Sequence, residues 1–303
     1  MFLWFVFFLI LIALLLYARS GPALRSALSL PEVKRPMVIA HGNDCGNGLY
    51  PGNTLLYLHK MVELGVDGIE VDLWLTADGD LVLMHDPDLE DFSNGRGLIG
   101  DLTLAQLREL NIAYHWTRDG ETYPFRDDPL GIVTIEEALQ AVGDTLLILE
   151  IKSAQVRAAQ VLSQMLQRTC KHNQVIVSSF HQGVIRAFRR LSPNTATGAA
   201  TYEAILLYMA QLFRAENLLS PRYQTVQLPM SHFGIDVITT GTLRAARRLG
   251  LHLSVWTVNG RADLQHYISL GVDGIVTDRP DLLMVILSGR GRMIASKLSS
   301  QTR

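Results

Sequence analysis

The stretch LGVDGIEVDLWLTADGDLVLMHD, Leu64 to Asp86, decides the fold. Leu64 and Gly65 end a helical pattern, Asp67 and Gly68 turn the chain, and GIEVDLWL follows as a buried strand, the sequence of events an αβ loop requires. The turn residues Thr76, Ala77, Asp78 and Gly79 then separate this strand from LVLMH, and so short a connection joins only antiparallel strands. Glu70 and His85 stand almost symmetrically about that turn, so a hairpin carries His85 back beside Glu70. A second copy of the unit, LGVDGIVTD at Leu270 to Asp278, lies near the other end of the chain.

Working outward, the strand candidates are MVIAH, GIEVDLWL, LLILEIK, QVIVSSF, TGAA, TVQL, LHLSVWTV and GIVTD, and helical patterns such as Thr54 to Leu64, Ala154 to Arg168 and Arg261 to Leu270 separate most of them. Strict β then α alternation implies a parallel sheet, and eight such units predict an α/β fold of the TIM-type (β/α)8 barrel over residues 37–287. The polar, glycine-rich stretch Pro87 to Gly131 is an excursion after the hairpin, placed where long βα insertions shape a mouth.

Of the 303 residues 48% are hydrophobic and 18% charged, enough for a full core with an apolar surplus, and that surplus sits at the N-terminus. A net charge of -2 gives no electrostatic reason to bind nucleic acid. The two cysteines, Cys45 and Cys170, match no zinc or redox spacing and read as free thiols of a reducing compartment. From Phe2 to Tyr17 the chain carries no charge and no helix breaker, so residues 1–19 are expected to form a single transmembrane helix. Nothing basic precedes the run and no small-residue cleavage site follows it, which favours a retained anchor over a signal peptide. Arg19, Arg25, Lys34 and Arg35 follow it, so the barrel is expected on the cytoplasmic side of a membrane. Residues 20–36, with three prolines, form a linker, and residues 288–303 form a basic tail suited to anionic lipid.

Several strands carry, at or just past one end, polar residues an apolar barrel would not select: His41, Glu70 with Asp72, Glu150 with Lys152, and Trp256 with Asn259. In a barrel of this type the carboxyl ends converge on one face, which makes residues distant in sequence into one site. Glu70 and Asp72 share a face because strand side chains alternate. With Glu150 they form three carboxylates that call for a cation, and an all-oxygen set suits Mg²⁺, Ca²⁺ or Mn²⁺. Asp86 and Asp88, in HDPD, read equally well as turn chemistry and receive no role.

These pieces, with PGNT at Pro51 to Thr54, TIEEAL, LEIK, SSF, VWTVN and GVDGIVTDRP, resemble the glycerophosphodiester phosphodiesterase family from Met37 to Leu283. The resemblance implies a hydrolase that splits glycerophosphodiesters, or lysophospholipids, into a glycerol phosphate or lysophosphatidic acid and an alcohol. It further implies that Glu70, Asp72 and Glu150 bind a divalent metal, that His41 and His85 are the acid/base pair, that Lys152 contacts phosphate, and that Phe180 and Trp256 line the cleft. Two positions depart from the family pattern. Gly42 stands where an arginine is usual, leaving Lys152, the metal, Asn43 or loop amides to hold phosphate, and Gly52 stands where a glutamate is usual. The competing reading is a catalytically impaired, membrane-anchored protein that binds lipid or phosphate. An apolar helical stripe, Ile205, Leu206, Met209, Leu212 and Phe213, reads either as the inner face of a barrel helix or as a flap for an acyl chain. The sequence leaves oligomeric state open.

Overall fold

The computed structural model describes Trp4, Phe7, residues 35–42 and residues 48–289. Apart from Trp4 and Phe7 the expected anchor lies outside the described residues, as do Asn43, Cys45, most of the linker and most of the basic tail. Among the described residues no helix is long and apolar enough to cross a membrane.

In chain order the strands are β1 (Met37–His41), β2 (Gly68–Leu75), β3 (Leu81–Leu83), β4 (Leu146–Ile151), β5 (Val175–Ser178), β6 (Ala196–Thr197), β7 (Thr225–Pro229), β8 (Ser231–His232), β9 (Ile235–Asp236), β10 (His252–Trp256) and β11 (Gly274–Thr277). Eight of them pair side by side in the order β6, β5, β4, β2, β1, β11, β10, β7, and every one of these pairs is parallel. The ends of this ribbon meet at a narrow seam. Ala199 N–H donates to Thr225 O and Gln224 N–H donates to Thr197 O, both at 2.9 Å, with a single bridge between Gly198 and Thr225. The barrel is therefore TIM-type and nearly closed. The TGAA expectation is corrected in its bounds: β6 is only Ala196–Thr197, because Ala199 leaves the ladder to pair across the seam.

Alternation along each strand sorts the interior from the exterior. Val38, Ala40, Ile69, Val71, Leu147, Leu149 and Ile275 point outward into the layer beneath the helices. Met37, Ile39, Ile148, Ile176 and Val276 fill the barrel's interior. Stepping two residues further along these inward rows reaches His41, Glu150, Ser178 and Asp278, so the same parity that packs the floor delivers polar groups to the carboxyl end. Pairing aligns these rows: His41 stands opposite Glu70, and Asp72 opposite Glu150, which is opposite Ser178.

The repeated LGVDG units do the same work twice. Gly65 and Gly271 end their helices at φ 77° and 84°, the left-handed region that glycine enters without steric cost. Asp67 then accepts Val38 N–H at 2.7 Å, and Asp273 accepts Leu253 N–H at 2.8 Å. Each aspartate ties the start of its own strand to the start of the preceding one, beyond the turn role read from the sequence.

The hairpin forms as expected, with Leu73 opposite Leu83 and Leu75 opposite Leu81. The excursion behind it has its own small core, in which Leu89, Phe92, Ile99, Leu107 and Ile112 pack on Val82 and Met84. It therefore covers the face of the hairpin that Trp74 and Val82 share with Asp72, while Leu73, Leu75, Leu81 and Leu83 on the opposite face join the layer beneath the helices. Helix Thr201–Leu212 corrects the stripe: Leu206, Leu207 and Ala210 are buried, whereas Ile205, Leu212 and Phe213 are exposed. An apolar helix of this kind has two apolar faces, and the sheet takes only one.

The seam is secured by Arg189, buried in helix Gln182–Leu191. Its guanidinium donates to Thr197 Oγ1 at 2.9 Å, to Gly198 O at 2.8 Å and to both carboxylate oxygens of buried Glu203 at 2.6 and 2.9 Å. Arg189→Ala leaves Glu203 buried and uncompensated, and should lower the unfolding free energy in urea by about 3–5 kcal/mol. Joint replacement, Arg189→Met with Glu203→Leu, should lose far less.

Candidate active site

The loop after β1 begins at Gly42, and a Cβ there would stand 2.7 Å from Glu70 O. Backbone meets backbone at this point, so the position has no room for an arginine. Asn53, fully buried at φ 57°, fastens the same loop: its Nδ2 donates to Gly42 O at 2.6 Å and its Oδ1 accepts Asp72 N–H at 3.4 Å. Thr54 caps helix Leu55–Leu64 by accepting Tyr57 N–H, and the Tyr57 hydroxyl reaches back to His41 O at 2.7 Å. The PGNT segment thus positions both His41 and Asp72, a task its asparagine and threonine carry without the glutamate that Gly52 replaces.

One cavity of about 260 Å³ at the carboxyl end of the barrel is lined by His41, Glu70, Asp72, His85, Glu150, Lys152, Phe180 and Trp256. All the expected site residues that the structure describes are brought together there; Asn43 is outside the described residues. Ser178, Gln227 and Thr257 line it too and were not anticipated. No residue of the Pro87 to Gly131 excursion lines it, contrary to expectation, because the excursion's apolar side chains are spent on Val82, Met84 and Trp74 of the hairpin.

Glu70, Asp72 and Glu150 each offer an oxygen within 4.8 Å of the others. Glu70 Oε2 is buried and accepts no hydrogen bond among the described residues. An orphaned carboxyl oxygen in an all-carboxylate cluster fits a hard divalent cation. Burial, reinforced by the Asp72 charge, pushes the Glu70 carboxyl up to about 8, and burial likewise raises Glu150. One internal cation answers part of this charge. Lys152 Nζ lies 2.9 Å from Glu150 Oε1 and 3.1 Å from Asp72 Oδ1, since β4 continues beside β2 past Ile151. Burial works against the lysine's charge, but those two carboxylates outweigh it and raise its pKa. Lys152 offsets one charge of three.

His41 Nδ1–H donates to Asp278 Oδ1 at 2.7 Å, and its Nε2 stands 3.8 Å from Glu70 Oε2. Asn259 in turn donates to Asp278 Oδ2 at 2.6 Å and accepts the Asp278 N–H at 2.9 Å. Burial pulls the His41 imidazolium down, yet the Asp278 hydrogen bond and the Glu70 and Asp72 charges overcome it and raise it to about 9. Asp278 was missed as a site residue, although it is the last residue of the LGVDGIVTD echo and two positions beyond inward-facing Val276. His85 enters from the hairpin, its carbonyl held by Trp74 Nε1 at 3.1 Å and its Nδ1 3.1 Å from Asp86 Oδ2. Of the HDPD pair, then, Asp86 touches the histidine, while Asp88 accepts Glu90 N–H as a turn residue does.

The class that this barrel and its carboxylate, lysine and histidine site define is a phosphoric diester hydrolase. The model of the glycerophosphoryl diester phosphodiesterase family matches residues 46–282, and the chain belongs to that family. A glycerophosphodiester phosphodiesterase of Caldanaerobacter subterraneus is 30% identical over 262 residues, spanning 85% of this chain and 100% of the relative. A Bacillus subtilis glycerophosphodiester phosphodiesterase is 28% identical over 300 residues, spanning 93% and 97%. Among solved structures, the glycerophosphoryl diester phosphodiesterase domain of an uncharacterized Mycobacterium tuberculosis protein superposes with TM-score 0.71 at 21% identity, covering 83% of this chain and 98% of that one. An Oleispira antarctica phosphodiesterase in complex with the product sn-glycerol-3-phosphate gives 0.67 at 22% identity, covering 84% and 97%.

In the metal-free protein Glu70 holds a proton between its ordinary 4.5 and about 8, and His41 between 6.5 and about 9, ranges in which the unfolded chain has released it. Metal-free stability should therefore fall as pH rises from the lower to the upper of these values. A divalent ion held by this cluster would displace the Glu70 proton, so its affinity should climb with pH up to about 8 and then level off. Thermal melts across this range with chelator and with Mg²⁺ or Ca²⁺ check both slopes; a pH-independent metal stabilisation would contradict them.

Proposed function

We propose that the chain hydrolyses glycerophosphodiesters through metal-dependent acid/base catalysis, with lysophospholipids as a second substrate class. The observation that carries the reading is the meeting, in one cavity, of His41 held by Asp278, His85 on the hairpin, and the Glu70, Asp72 and Glu150 cluster. These three carboxylates would hold Mg²⁺, Ca²⁺ or Mn²⁺. A divalent ion bound there supplies charge neutralisation to the phosphodiester and to the charge that grows in the transition state.

The remaining roles belong to the chain's own groups. Asp278 fixes the tautomer of His41, so that Nε2 is the nitrogen presented to the cavity, and it stabilises the imidazolium. A histidine held in its charged form is suited to give a proton to the leaving alcohol, while His85 takes one from the nucleophile, a water or a neighbouring glycerol hydroxyl. The Lys152 ammonium is the cationic donor for a phosphate oxygen that the absent arginine at position 42 would otherwise provide. Phe180 and Trp256, with ring centroids 6.2 Å apart, form an apolar wall over the substrate. An uncharged run from Phe2 to Tyr17, followed by basic residues, supports a single membrane anchor with the barrel on the cytoplasmic side.

His41→Ala and His85→Ala should each lower glycerophosphocholine turnover by about two to four orders of magnitude with metal affinity little changed. Glu70→Ala, Asp72→Ala and Glu150→Ala should abolish turnover and metal binding together. Full activity in excess chelator after exhaustive dialysis would overturn the metal role, and a protein that binds the diester but releases no alcohol with any divalent ion would establish the binding-protein reading instead. For the topology, protease applied to intact cells should spare the barrel; its digestion would place the barrel outside.

A further inference from the structure

We propose that a groove opening from the catalytic cavity is an acyl-chain site, and that the residues at its lip set a preference for diesters carrying one fatty tail. This rests on the reading of the cavity as the diester site. The groove, about 440 Å³, shares Phe180, Ala199, Gln227 and Trp256 with the cavity, so the two are continuous. Outward from Trp256 its walls are Ile205 and Tyr208 of helix Thr201–Leu212, Leu228 at the end of β7, and Phe233 and Ile235 of the β8–β9 hairpin. Among the described residues, no carboxylate, lysine or arginine lines it. A choline, inositol or second glycerol would find few partners there, whereas methylenes find aliphatic and aromatic walls.

The lip is unexplained by folding alone. Phe233 is 92% exposed at φ 50°, next to Gly234 at φ 75°, a pair of left-handed residues at a hairpin tip where asparagine and glycine are favoured. Among the described residues its ring contact is with His232, the residue before it. Ile205 and Ile235 are 53% and 58% exposed on facing walls. Packing does not account for three large apolar side chains exposed around one groove; an apolar ligand does. The exposed helix face continues through Leu212 to Phe213, whose ring centroid lies 6.1 Å from that of Phe7. Phe7 thus lies on this same side of the barrel. The occupant is nonetheless the substrate's own tail, because the groove opens at Phe180 and Trp256 into the cavity where the diester's glycerol would lie.

The full chain is assayed with monoacyl glycerophosphocholines, lengthened stepwise from about six to about twelve acyl carbons and kept below micelle-forming concentrations, against glycerophosphocholine. With a tail-binding groove, kcat/KM should rise about two- to fourfold per added methylene until the groove is full. In the triple variant Ile205→Asn, Phe233→Ser, Ile235→Asn that slope should flatten while kcat/KM for glycerophosphocholine changes less than about twofold. Ile205→Trp, which narrows the groove, should end the gain at a shorter chain. An unchanged slope in the triple variant overturns the proposal. So does a wild type with no slope that still hydrolyses glycerophosphocholine, the result expected if the N-terminal run or a second copy covers the groove. Failure to hydrolyse any of these diesters counts against the catalytic reading alone, and equilibrium binding of the same series then decides the groove: a chain-length slope upholds it and a flat series overturns it.

Discussion

Three carboxylates buried within 4.8 Å of one another are the constraint around which the rest of the molecule is arranged. Like charges in a medium of low dielectric repel far more strongly than in water, and each has lost its hydration. The protein meets this in three ways. Lys152 places its ammonium between Asp72 and Glu150, His41 brings an imidazolium edge toward Glu70, and the Glu70 carboxyl keeps its proton to about 8. What is left, among the described residues, is an oxygen on Glu70 with no hydrogen bond, an arrangement that costs stability and suits a ligand.

The same constraint explains why so much backbone is devoted to so few side chains. The turn of β1 into its loop lies against β2 at Gly42, where no side chain fits, and Asn53 bonds both strands across it. Asp278 is held at both its main-chain and side-chain ends by Asn259 before it is offered to His41. Groups this close to a charge cluster have to be fixed from behind, since any slack would be taken up by repulsion.

The two sides of the mouth are built differently. On one side the Pro87 to Gly131 excursion buries its apolar residues against Val82 and Met84 of the hairpin that carries His85, steadying that histidine without entering the cavity. On the other, helix Thr201–Leu212 gives Leu206, Leu207 and Ala210 to the barrel and leaves Ile205 and Leu212 exposed among the described residues. One side is finished by its own core; the other presents apolar surface beside the cavity.

Eight strands, their parallel order and the inward direction of Glu70, Asp72 and Glu150 were all legible in the chain, because the alternation that encodes them has a period of two residues. The hairpin that returns His85 was legible for the same reason, its turn being only four residues long. Tertiary structure alone decided that Asp278 serves His41 across 237 residues of sequence, and that Lys152 sits between Asp72 and Glu150. It also decided which face of Thr201–Leu212 the sheet covers, and that the barrel closes at a seam as narrow as Gly198 and Thr225. Local spacing records which way a side chain points. Which partner it meets depends on how the ribbon of strands twists, staggers and closes, and that is settled only when distant strands come to lie side by side.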